Sequence, residues 1–358
     1  MHFFYPGPAQ LYAQVPVWTA EIFSKGLVSF NHRSPQVVEC YKQAVQGIYE
    51  KLSVPESYTV VFTSSATECW EILGQSFAGD QFVHVFNGSF GAKWATINQQ
   101  LGNRVHSISF ALEEPPPVSS LPAADWICLT HCETSNGTYL PENEILAIKS
   151  RHPQALLALD ATSSMAGIAI PWQVMDFVFA SVQKCFGLPS GMAVLICSPQ
   201  AVERALQKAN TQHYNSLAVS LPLAKQYQPT HTPNILGICL LMKLMQEIES
   251  IGLIDQRLRK QAQEWYNWLE EHGFTLLVKN PAFRSPTVIV LQAEAKEINH
   301  LKQCALQHGI VLGNGYGPWK ETTVRIANFP AIDKKSITVL EQFLLTFQAT
   351  KKNLSLLP

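Results

Sequence analysis

The chain has 358 residues, enough for two domains in one protomer rather than one simple core. Hydrophobic residues make up 47% and charged residues 15%, with a formal net charge of −1 and no long basic or acidic run, so nucleic acid and anionic membrane surfaces are excluded as expected partners. The opening residues carry no basic region followed by an apolar stretch, and no segment approaches membrane-spanning length, so a cytoplasmic protein is expected.

In chain order, the first thirty residues contain Pro6, Gly7, Pro8 and Pro16 and are predicted to be irregular, wrapping over the site or a partner subunit. Short β-branched and aromatic runs then alternate with helical patterns. Strands are predicted at Thr59–Phe62, Gln81–Phe86, Arg104–Phe110, Asp125–Thr130, Ala155–Asp160, Asp176–Ala180 and Met192–Cys197. Helices are predicted at Ala66–Phe77, Ala92–Leu101 and Pro141–Ser150. Such alternation implies an α/β fold with a mostly parallel sheet covered on both faces.

After Pro199 the pattern changes. Long helices are predicted at Asn234–Ile251 and Asp255–His272, separated near Gly252. Strands at Phe274–Val278, Thr287–Gln292, Ile310–Leu312 and Thr322–Ala327, with helices at Lys296–His308 and Lys334–Phe347, predict a smaller C-terminal α/β domain. The boundary is set at 245/246: residues 1–245 as N-terminal segment and large domain, residues 246–358 as small domain. Eight cysteines, at 40, 69, 128, 132, 185, 197, 239 and 304, form no Cys-x-x-Cys pair and read as reduced thiols. Cys128, His131 and Cys132 lack further ligands nearby, and no metal is expected there.

Ligands of open α/β sheets sit at the carboxyl ends of strands, so polar residues that end strands are the first candidates. Leu156–Leu159 is an apolar run ending in Asp160, and the run from Phe177 leads to Lys184, 24 residues after Asp160. Alone, each reads as a turn acid or a surface lysine. Together they match the needs of pyridoxal 5'-phosphate (PLP): an amine to form the Schiff base and an acid to keep the pyridine nitrogen protonated. Thr63–Glu68 follows a strand and opens a helix, where the N–H groups of Ala66 and Thr67 can take a phosphate; an ordinary Ser/Thr cap is the alternative. Phe90, in Asn87–Gly91, is either a ring stacked on the cofactor or core packing, and Thr134 could donate to the phenolic oxygen of PLP.

These residues resemble fold-type I PLP transferases, the class V aminotransferases, and within them the phosphoserine aminotransferases. Phe4–Ala9 is similar to that family's opening Gly-Pro-Ala motif, Phe30–Ser34 to its Ser-His-Arg-Ser motif, Glu133-Thr134 to its Asn-Glu-Thr loop and Gln183-Lys184 to its Gln-Lys pair. The resemblance implies a homodimer with interface active sites, with His231 and Thr232 reaching the PLP phosphate of the neighbouring subunit. It implies anion binding by His32 and Arg33, and carboxylate binding by Arg325. The implied reaction is amino transfer between phosphoserine and 2-oxoglutarate, a step of serine biosynthesis. Three departures bear on substrate: Ser64-Ser65 in place of Gly-Gly, Phe90 in place of Trp, and a Gly313–Lys320 loop without the family's His-Arg pair. His131–Thr134 also resembles the His-Gly-Glu-Ser loop of alanine–glyoxylate aminotransferases, so a small non-phosphorylated amino acid is the alternative substrate. A cysteine desulfurase fits less well, because Gln183 stands where those enzymes place His and Cys304 lies on a predicted helix.

Overall fold

The computed structural model describes residues 1–355. The chain opens with strand β1 (His2–Phe4), helix α1 (Val15–Ser24) and helix α2 (Pro35–Lys51). Strand β1 and helix α1 correct the expectation of irregular structure over the first thirty residues. Pro16 lies in the first turn of α1, where no intrahelical N–H is needed. Ser34 caps α2 by accepting from Val37 N, with Pro35 following as first helical residue.

The large unit then follows: β2 (Thr59–Thr63), α3 (Ala66–Ser76), β3 (Gln81–Phe86), α4 (Ser89–Gln100), β4 (Arg104–Ser109), β5 (Trp126–Thr130), the small hairpin β6 (Cys132–Glu133) and β7 (Thr138–Tyr139), α5 (Glu142–Arg151), β8 (Leu156–Asp160), β9 (Phe177–Ser181) and β10 (Ala193–Cys197). The seven-stranded sheet has the order β2-β10-β9-β8-β5-β3-β4. It is parallel except for β10, which runs antiparallel to both β2 and β9. The short segment between β9 and β10 holds no crossover helix, so the chain must return in the opposite direction.

Side chains of β8, β9 and β10 point alternately to two faces, and both faces are buried along these strands. Leu157, Leu159, Val178 and Ala180 join one apolar cluster, while Leu156, Ala158, Phe177 and Phe179 join the cluster on the other face. Strands β8 and β9 therefore read as continuous apolar runs that are polar only at their ends, Asp160 and Ser181.

Helices α6 (Pro199–Lys208), α7 (Leu217–Ala224), α8 (Ile235–Glu247) and α9 (Ile251–Glu271) come next. The break between α8 and α9 falls at residues 248–250, not at Gly252, because Ile248 and Ser250 take extended backbone. The chain ends with β11 (Val288–Gln292), α10 (Ala295–Gln307), β12 (Ile310–Asn314), β13 (Thr323–Ala327) and α11 (Lys334–Ser355). The second sheet has the order β1-β12-β13-β11, so the chain's first strand is an edge of the C-terminal sheet, parallel to β12. The expected strand at Phe274–Val278 is reduced to a single bridge between Leu276 and Leu291, and the Asn280-Pro281 turn stops the pairing soon after. No helix among the described residues is long and apolar enough to cross a membrane.

Candidate active site

The ends of β2, β3, β5, β8 and β9 converge on a cavity of about 270 Å³. Tyr5, Gly7, Ala66, Thr67, Phe90, Thr134, Asp160, Gln183, Lys184 and Arg325 all line it. A larger groove, about 580 Å³, is lined mainly from α10 and α11; it holds Cys304 but none of the residues assigned to cofactor or substrate from the sequence.

Lys184 is buried, and its Nζ donates to Thr134 Oγ1 at 2.9 Å and to Ser163 Oγ at 3.0 Å. Burial lowers its pKa to about 8; Asp160 and Glu133 oppose that effect and Arg325 adds to it. Near neutral pH a useful fraction of the amine is therefore without its extra proton. The aliphatic stem is held as tightly as the amine. A Cβ on Gly7, whose φ is +131°, would lie 2.9 Å from Lys184 Cε, so the opening segment can cross the lysine only as glycine.

Asp160 is 5% exposed at the end of β8. Its carboxylate accepts from Thr162 N at 2.9 Å and from Trp70 Nε1 at 3.1 Å. Burial pushes its pKa up, and the bonds from Thr162 and the charge of Lys184 only partly oppose this. Among the described residues no cation lies within ion-pair distance of it. A buried carboxylate in that position favours a positive partner that the protein's own side chains do not supply. Gln183 Oε1, on a residue lining the same cavity, is buried without a hydrogen-bond partner among the described residues. The site thus has unmet demand for polar contact, as a ligand-binding cavity should.

The ring of Phe90 lies 5.3 Å from Lys184 Nζ and stacks on Tyr316, with centroids 4.9 Å apart. Its position is set from beneath. Glu133, 2% exposed, accepts from Phe90 N at 3.2 Å, Gly91 N at 3.1 Å and Ser135 Oγ at 2.6 Å. A carboxylate at the N-terminus of α4 suits the helix dipole, and a Cβ at Gly88 would overlap its side chain.

At the opening turn of α3, Ser65 Oγ accepts from Glu68 N at 3.1 Å and caps the helix. Ala66 N donates to Ser181 Oγ at 2.9 Å, and Thr67 is exposed at the cavity rim. Across the cavity, Arg325 is 4% exposed on β13; its Nε donates to Asn314 O at 2.6 Å and one Nη to Thr134 O at 2.9 Å. Those two bonds fix the plane of the guanidinium while it faces the cavity.

His32, Arg33, His231 and Thr232 are not among the residues lining this cavity. They form a separate group: Thr232 Oγ1 lies 3.5 Å from His32 Nδ1, His32 Nε2 is buried without a partner, and Arg33 is exposed. His231 packs edge-on to Tyr214, whose hydroxyl donates to Glu68 in α3 at 3.0 Å. Ser163, Ser181, Trp70, Tyr5 and Tyr316 went unread in the sequence. Ser181 ends β9 just as Asp160 ends β8, so the rule of polar strand ends would have found it. Ser163 lies inside a turn, where no periodicity marks it.

The class-V aminotransferase family model matches residues 1–318. A phosphoserine aminotransferase of Rhodococcus opacus is 26% identical over 323 residues, covering 87% of this chain and 85% of that protein. The crystal structure of a phosphoserine aminotransferase from Cytophaga hutchinsonii superposes with a TM-score of 0.91 at 32% identity, covering 96% of this chain and 98% of that one. An alanine–glyoxylate aminotransferase from Nostoc shares the fold, with a TM-score of 0.82 at 19% identity and coverage of 97% and 95%. The chain belongs to the class-V aminotransferase family.

Proposed function

We propose that this transaminase uses PLP held at Lys184 and Asp160, and moves an amino group between glutamate/2-oxoglutarate and a small carboxylate-bearing partner, with phosphoserine the leading candidate. The observation that carries this reading is the meeting, in one cavity, of a buried amine, a buried carboxylate without a cationic partner, and a fixed guanidinium. Bound there, PLP would supply an electron sink for the substrate's Cα–H bond. The lining residues fit that group. Asp160 would hold the proton on the ring nitrogen, Phe90 would cover a ring face, and Gln183 and Thr134 would offer polar contacts at the ring edge. The N–H of Thr67 would hold the phosphate at the start of α3, with that of Ala66 joining it on release from Ser181 Oγ.

Lys184 is then the attachment point and, once its amine is released, the base that takes the α-proton and returns it. Arg325 would bind the α-carboxylate through its planar fork and so orient the Cα–H bond. A distal phosphate needs further cations. Lys320 is exposed, 3.9 Å from Glu321, and not part of the cavity lining. His32 and Arg33, with His231 and Thr232, would therefore serve a neighbouring subunit's site in a homodimer. The presence of one guanidinium among the cavity-lining residues also supports the second reading, a non-phosphorylated amino acid such as alanine or serine.

The test compares kcat/KM for phosphoserine, alanine, serine and aspartate in wild type and Arg33→Ala. Preference for phosphoserine, lost selectively in Arg33→Ala, supports the phosphate reading. Preference for alanine or serine with a silent Arg33→Ala replaces it with the alanine–glyoxylate type.

A further inference from the structure

We propose that Ser163 is a positioning residue: its hydroxyl, paired with that of Thr134, forms the cradle that holds the Lys184 amine whenever that amine is not bonded to the cofactor. The inference rests on the reading of Lys184 given above and goes beyond it to a residue outside the cavity lining.

Three polar atoms meet beside the cavity. Lys184 Nζ is 3.0 Å from Ser163 Oγ and 2.9 Å from Thr134 Oγ1, and the two hydroxyls are 2.5 Å apart. All three side chains are buried: Ser163 is 1% exposed, Thr134 4% and Lys184 8%. Among the described residues, these two oxygens are the side-chain acceptors that the structure gives the amine. The cradle is rigid. Ser163 sits in the tight turn that follows Asp160, where Ala161 O accepts from Ser164 N and Met165 N, and Ser164 O from Gly167 N and Ile168 N. Cys185 Sγ donates to Ser163 O at 3.3 Å and ties the turn to the residue beside the lysine. One short turn therefore carries both Asp160 and the hydroxyl that places Lys184.

The chemistry needs such a device. Transamination frees the lysine amine midway, and a buried amine on a four-carbon stem could settle in rotamers that cannot reach the substrate's Cα. Two hydroxyls on opposite supports, the hairpin loop after β6 and the turn after β8, limit that freedom at the moment the amine must move a proton. Each hydroxyl oxygen also accepts from the charged amine. Removing one acceptor disfavours the ammonium form and lowers the pKa. The charged and titratable groups that act on Nζ are Asp160 from β8, Glu133 from β6, Arg325 from β13 and the adjacent Cys185. They are common to wild type and variant, so a difference between the two reports on Ser163.

The experiment follows capture of PLP by cofactor-free protein as a function of pH. The neutral amine bonds to the aldehyde carbon and water leaves, so the rate rises with pH through the pKa of Lys184. In wild type the midpoint is expected near 8. In Ser163→Ala it should fall by about one pH unit, the shift that the loss of one hydrogen bond to a charged group implies. Ser163→Thr, which keeps a hydroxyl, should restore it. In the loaded enzyme, kcat of Ser163→Ala should fall on the order of tenfold while KM for the amino donor stays within about twofold. An unmoved midpoint in Ser163→Ala, or a threonine variant indistinguishable from the alanine one, overturns the proposal. If the alanine variant does not fold, Ser163→Cys takes its place, with the same shift expected from its weak acceptor. Borohydride reduction of wild type separates the two levels. A label away from Lys184 refutes the underlying reading, whereas a label on Lys184 with no midpoint shift refutes only the role of Ser163.

Discussion

Lys184 sits where its charged form is penalised, and that penalty has a measurable sign. Its pKa falls from the ordinary 10.5 to about 8 because the amine is buried. In cofactor-free protein the unfolded chain therefore binds more protons than the folded one between those two values, and this group's contribution to stability rises as pH rises through that window. Lys184→Met removes the group, so the denaturation midpoint of wild type should gain on that of the variant between pH 8 and 10.5. A constant difference would contradict the shift. For Asp160→Asn we expect PLP to be retained and most activity lost, because an amide cannot hold the ring-nitrogen proton by charge; near-normal turnover would refute that role. Arg325→Lys should raise KM for the amino acid by about tenfold to a hundredfold, the loss of one charged hydrogen bond of about 1.5–3 kcal/mol. At this scale the sequence was readable where a polar residue ends an apolar run, as at Asp160, or follows one closely, as at Lys184. It was silent on Ser163, because small residues in a turn have no period, and on Tyr316, whose place beside Phe90 depends on the two sheets coming together.

At the scale of elements, the large sheet is held by side chains that alternate between two buried faces. Phe177 and Phe179 are fully buried on one face, edge-on to Trp126 and Trp94 respectively. Phe179→Ala should cost about 3–5 kcal/mol, more than a surface substitution by several-fold, read as a lowered denaturant midpoint with unchanged slope. Ser65→Ala removes the cap at the start of α3 and should cost about 1 kcal/mol. Because that helix end faces the cavity, the same variant should weaken PLP binding, measured by equilibrium dialysis; an unchanged affinity would argue against the phosphate seat at Ala66 and Thr67. Apolar runs made the strands of the large sheet legible. Their directions were less so: the antiparallel β10 follows from the short connection before it, which the spacing of the two runs contains, whereas the pairing of β1 with β12 across some 300 residues has no local signal. The same holds for the segment after Phe274, where strand-like composition meets only one bridging position.

For the whole molecule, the two sheets enclose the site between them, with Lys184 and Asp160 from one and Arg325 from the other. The segment Tyr5–Pro8, continuing from β1 of the small sheet, crosses Lys184 of the large one, so the chain's opening ties the two together at the cavity. The family resemblance is the reason a homodimer is expected, with Thr232 on a neighbouring subunit's phosphate; the group formed by His32 and Thr232 stands outside this cavity's lining, as that expectation requires. Mixed dimers of a Thr232→Ala chain and a Lys184→Ala chain should regain part of the activity that each lacks alone, because one site then has both an intact lysine and an intact partner loop. Activity of an isolated monomer would contradict a shared site. The most direct measurement is borohydride reduction of the PLP-loaded protein followed by peptide mapping. We expect one stably labelled peptide carrying the cofactor on Lys184, and none in Lys184→Ala. A label on another lysine, or no label on a protein that still transaminates, would contradict the assignment on which every step above depends.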